Sequence, residues 1–92
     1  FVSHSAQSIR YFACTAGTAP GGAVSDVLTV QKSSDYGATW ADTASVCTLT
    51  GTAQTCFSAS TALLAAYDQL AVKIVRNGLS VGAAYSCEIV VN

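Results

Sequence analysis

The sequence predicts an all-β protein: a single antiparallel β-sandwich, jelly-roll or immunoglobulin-like, of six to eight short strands stapled by disulfides. Three observations carry this reading. Short runs of alternating apolar and polar residues recur between clusters of Gly, Pro, Asn and Asp. No stretch holds a dependable helical period. Four cysteines are present, and two of them, Cys47 and Cys56, flank a hairpin signature. At 92 residues the chain suits one domain, because a second would leave each half too small to bury a useful core.

Residues Phe1, Val2, Ser3, His4, Ser5, Ala6, Gln7 and Ser8 form a small, polar extension without a strong period, and the domain proper is expected over residues 9–92. Ile9 to Thr15 is the first strand, with Ile9, Tyr11 and Ala13 on one face and Arg10, Phe12 and Cys14 on the other. Turn chemistry around Pro20, the only proline, ends it. Val24 to Lys32 is a second strand, Val24, Leu28 and Val30 sharing one parity.

Ser33 to Trp40 spells Ser-x-Asp-x-Gly-x-Thr-Trp and resembles the Asp-box of sialidases and other β-rich extracellular proteins. Its mechanics are legible in the residues. Asp35 accepts hydrogen bonds from turn amides, Gly37 supplies a positive φ, and Trp40 anchors the hairpin. In the families that carry it, the box is a folding element away from catalytic residues. A propeller needs several four-stranded blades, more than this chain holds. Calcium binding by Asp35 and Asp42 is the minor alternative.

Val46 to Ser58 reads as two strands about a two-residue turn at Gly51 and Thr52, a register that sets Cys47 opposite Cys56 at a non-hydrogen-bonded pair. A cross-strand disulfide is expected there. If every cysteine is oxidised, Cys14 then pairs with Cys87 and ties the first strand to the last. Zinc is the rival, weakened by the absence of close CxxC spacing and by the place of the sole histidine, His4, in the extension. Ser60 to Ala66 is ambiguous between strand and helical turn. Gln69 to Val75 alternates clearly, with Leu70, Val72 and Ile74 inward and Lys73 outward. Asn77-Gly78 is a strong turn signal, and Ala84 to Val91 is the last strand.

Composition narrows the functions. Sixteen alanines and twenty-one serines and threonines make the side chains small, and the nine charged residues are about a tenth of the chain against a usual quarter. A surface so poor in charge predicts cover by sister subunits, by a larger particle or by O-linked sugar. A secreted monomer with a Ser/Thr coat is the alternative. Four dispersed cations, Arg10, Lys32, Lys73 and Arg76, make no basic stripe for nucleic acid. No apolar run approaches a membrane span. The disulfides and the absence of an initial methionine lead to an expectation of export, to the extracellular space, a cell surface or a virion. The scattered carboxylates and lone histidine form no catalytic constellation, so no enzyme activity and no cofactor are expected.

Several segments together, Ile9 through Gly21, LTVQK, CTLTGTAQTC and the acidic turn at Asp68 before QLAVKIV, are similar to small jelly-roll sandwich domains of bacteriophage fibre-like and bacterial surface proteins. That family's pattern has glycine where this chain has Tyr67. The resemblance implies a structural or surface role and assigns no functional residue. The leading expectation is a subunit of an extracellular filament or virion appendage, partnered by identical subunits, with the strand-like extension, led by Phe1 and Val2, donated to the next subunit. The alternative is a carbohydrate- or receptor-binding module, such as a trimeric fibre tip, with Trp40, Tyr36 and Asp35 as candidate glycan contacts; Tyr67 is a further aromatic of the same kind.

Overall fold

A computed structural model of the protein describes residues 6–92, which form seven strands and no helix. They are β1 (Gln7–Thr18), β2 (Ser25–Ser33), β3 (Ala41–Thr50), β4 (Thr55–Ser58), β5 (Ala62–Leu64), β6 (Gln69–Arg76) and β7 (Ala83–Val91). Two antiparallel sheets result. In the four-stranded sheet, β1 is central, with β7 along one side and β4 and β5 end to end along the other. The three-stranded sheet runs β3-β2-β6. The segment Ser60–Ala66, ambiguous by pattern, supplies β5.

Alternation places the core between the sheets. Ile9, Phe12, Cys14 and Ala16 of β1 meet Leu28 and Val30 of β2 and Cys47 and Leu49 of β3, with Leu64 and Leu70 completing the cluster. Each large apolar side chain fully buried there contributes about 1.5–3 kcal/mol. Ile9 and Phe12 cannot share a face in a regular strand. They do so because β1 is bulged: Ile9 pairs with Val91 and Tyr11 with Val90, which leaves Arg10 as the extra residue. The alternation that put Tyr11 on one face with Ile9 is corrected by that one residue: Ile9 is buried and Tyr11 is exposed.

The hairpin expected at residues 46–58 is also corrected. Its turn forms, with Ala53 N–H donating to Thr50 at 3.0 Å, but no ladder follows. β3 pairs with β2 and β4 pairs with β1, in different sheets. Competing partners explain the divergence. Gly51 exchanges backbone bonds with Val24 and Gly21, while Gln54 accepts from Ala16 N–H and its side-chain amide donates to the Ala16 and Gly17 carbonyls. The chain is drawn across to β1 before a ladder can start. Cys47 and Cys56 are still bonded, with Cα atoms 5.6 Å apart, but as a bridge between sheets. Cys14 and Cys87 are bonded across β1 and β7. Asn77 likewise opens a turn, Ser80 N–H to Asn77 carbonyl at 2.8 Å, inside a longer crossing from one sheet to the other.

Tyr67 adopts φ 68°, a left-handed conformation that favours glycine. Asp68 makes the turn work from within, its carboxylate accepting from Ala65 N–H at 2.8 Å.

Candidate assembly surface and polar sites

The two flanks of the sandwich differ. On the β3 side the Cys47–Cys56 disulfide and the Ser45 hydroxyl, which donates to the Ser60 carbonyl, bridge the sheets. Side chains facing inward there, Ser45, Cys47, Leu49, Ser58 and Leu64, are all buried. On the opposite flank lie the edge strands β6 and β7. Val72 and Ile74 stand opposite the core residues Val30 and Leu28, so both face inward. Yet Ile74 remains 37% exposed, and Val72, Ile89 and Val91 are only partly buried against the core. This flank presents apolar side chains beside two strand edges that pair with no further strand among the described residues, and of the two β6 carries Lys73 and Arg76. β7 has neither lysine nor proline, and Glu88 is its one charged residue. Such an edge invites pairing with another strand.

The extension meets this picture only in part. Phe1, Val2, Ser3, His4 and Ser5 lie outside the described residues. Gln7 and Ser8 do not belong to it: they are the first residues of β1, paired with Leu64 and Leu63, because β5 offers them a ladder.

The Asp-box residues form the β2–β3 turn. Asp35 Oδ1 accepts from the Thr39 amide at 2.9 Å and the Ser33 hydroxyl at 2.7 Å, and Oδ2 accepts from the Thr39 hydroxyl. Ser33 in turn accepts from Gly37 N–H at 2.8 Å. These bonds, the Thr39 side chain first, hold the Asp35 carboxyl down at about 2. Gly37 has φ 91° and lies against the Trp40 ring, so a side chain there is strained. Both Asp35 oxygens are used inside the turn, while Tyr36, 79% exposed, projects from it. Asp35→Ala is expected to lower the thermal midpoint, and the loss should be greater at pH 6 than at pH 2, where the wild-type carboxylate is itself being protonated. A calorimetric pH series checks this; an equal loss at both pH values would contradict the assignment.

Asp42 is engaged elsewhere, with Lys73 at 2.8 Å and Gln31 at 2.9 Å, and these two partners lower its carboxyl. Asp35 and Asp42 therefore serve separate networks. Among the described residues no group of three His, Cys, Asp or Glu side chains is placed to hold a metal ion, and no helix is long and apolar enough to cross a membrane.

One polar site was invisible in the pattern. Asp26 shares the inward parity of Leu28 and Val30 and is fully buried, accepting a hydrogen bond from the Tyr85 hydroxyl of the facing sheet. Its other oxygen, Oδ1, has no hydrogen-bond partner among the described residues. Arg76 pairs with Asp26 across the sheet. Gly82 makes room for the cluster, since a Cβ there would strike both the Asp26 carboxylate and the Tyr85 hydroxyl. Burial pushes the Asp26 carboxyl up, but bonds from Tyr85 and Ser80 and the charge of Arg76 outweigh it and hold the group below the ordinary range.

Comparison with protein-family models, with curated proteins and with solved structures finds no match for this chain. The two disulfides are compatible with an oxidising environment.

Proposed function

We propose that this protein is a structural subunit of an extracellular filament or virion appendage, assembling head-to-tail by donation of the segment before β1 to the next subunit. The observation that carries the reading is the half-open β6/β7 flank, where Ile74, Val72, Ile89 and Val91 lie partly uncovered beside the edge of β7, which carries neither lysine nor proline. A donated strand there gains backbone hydrogen bonds from a free edge and covers those side chains with its own. The contact joins two different surfaces, does not close on itself, and so builds a fibre. A surface with few charges is consistent with one that is mostly covered in use. The other reading, a carbohydrate- or receptor-binding tip, draws on the projecting Tyr36, but Asp35 is already occupied by its own turn.

Removing residues 1–6 is expected to leave soluble monomers with an unchanged far-UV spectrum. Ile74→Lys, which leaves the donor segment intact and charges the acceptor flank, is expected to do the same. Polymers that form undiminished in both variants would sink strand donation.

A further inference from the structure

The outer face of the four-stranded sheet carries an apolar patch that strand donation at the β6/β7 flank does not use. The bulge at Arg10 creates it by turning Arg10 and Tyr11 outward together. Phe57, opposite Ala13 on β4, lies against Tyr11 with ring centroids 6.0 Å apart and planes 20° apart. Leu63 of β5 and Val90 of β7 extend the patch; Phe57 is 67% and Leu63 77% exposed. Among the described residues, the strands of this sheet carry two charged side chains, Arg10 and Glu88, of opposite sign.

Their levels along the strands are complementary. Leu63 stands beside Ser8, Val90 beside Tyr11, and both Glu88 and Phe57 beside Ala13. The Arg10 guanidinium reaches Asn92 Oδ1 at 3.3 Å, and Asn92 pairs with Ser8. Arg10 and Glu88 therefore lie on the β7 side, on either side of the Tyr11–Val90 level. Leu63 and Phe57 do so on the β4/β5 side.

We infer that two copies of this chain pack these faces together about a twofold axis lying between them at the Tyr11–Val90 level. That operation sets Phe57 over Leu63 of the partner subunit and Arg10 against Glu88 of the partner subunit, each contact occurring twice. A face with one cation and one anion at mirrored levels is complementary to itself. Its aliphatic members, Leu63 and Val90, suit a protein surface better than a sugar ring. With the axis at the Tyr11–Val90 level the two faces overlap over about nine residues of β1, Gln7 to Thr15, which at about 3.3 Å each and three strands at about 4.8 Å gives roughly 430 Å² per partner, or about 850 Å² in all. That is below the size of a standard specific interface, so the contact is weak between free subunits and gains from repetition along a filament, where it pairs two strands of subunits side by side.

Charge exchange in the full chain tests this, by sedimentation equilibrium on soluble protein and by electron microscopy on filaments, with circular dichroism confirming each variant's fold. Arg10→Glu alone and Glu88→Arg alone are each expected to weaken pairing by about tenfold, since each sets like charges together. The two combined should restore it, and Phe57→Glu should abolish it. Failure of the combined variant to restore pairing, pairing untouched by Phe57→Glu, or a monomer that binds a soluble β-glucan through Phe57 would each overturn the inference. Lateral pairing can fail while filaments persist, so this outcome is separate from that of strand donation.

Discussion

Replacing Cys14 and Cys87 together by alanine is expected to remove about 4 kcal/mol of stability, against about 2.5 kcal/mol for Cys47 with Cys56. The two disulfides differ chiefly in the loops they close, 73 residues for the first and 9 for the second, and a longer loop costs the unfolded chain more entropy. A domain of 92 residues has roughly 5–14 kcal/mol in hand, so the first loss approaches the whole at the lower end. Changing both members of a pair avoids leaving one of them as a free thiol. Urea unfolding of the two double variants gives the comparison directly. If the short bridge proved the costlier to lose, its clamping of the two sheets in the native state, and not loop entropy, would be the larger effect.

Tyr85→Phe is expected to cost about 1–3 kcal/mol at neutral pH, because it leaves the buried Asp26 carboxylate without its bond from the facing sheet. The pH dependence identifies the cause. Asp26 has a lowered pKa in the folded protein, so its contribution is present above the unfolded carboxyl value of about 3.9 and is lost as pH falls through the folded value. Tyr85 is raised, first by burial and then by its bond to Asp26. Its contribution is therefore full below the unfolded phenol value of about 10 and is lost as pH rises beyond it. In the phenylalanine variant the alkaline loss attributable to this phenol should vanish and the acid loss should shrink. A variant with both limbs unchanged would place the pH sensitivity elsewhere.

Much of this architecture is written locally. The β2–β3 turn is specified by Ser33, Asp35, Gly37 and Thr39, which bond to one another within seven residues, and the period of two marks β2, β6 and β7. What pattern could not give depends on distant partners. Nothing near Gly51 says that its amide will find Val24, so the local pattern predicts a hairpin that the sheets do not contain. The bulge at Arg10 follows from fitting β1 to β7, and it decides whether Tyr11 is core or surface. In the sequence Asp26 is one of the scattered carboxylates, because its partner Tyr85 lies 59 residues away. The candidate assembly flank was legible only as a shortage of protective charge; which edges stay open follows from the sheet order.

Electron microscopy of the native, unconcentrated protein tests head-to-tail assembly. Continuous filaments are expected, with an axial repeat of one domain, within the 18 to 42 Å of its principal dimensions. Dispersed single domains or closed trimers would contradict head-to-tail assembly and leave Tyr36 and its turn as the surface to explain.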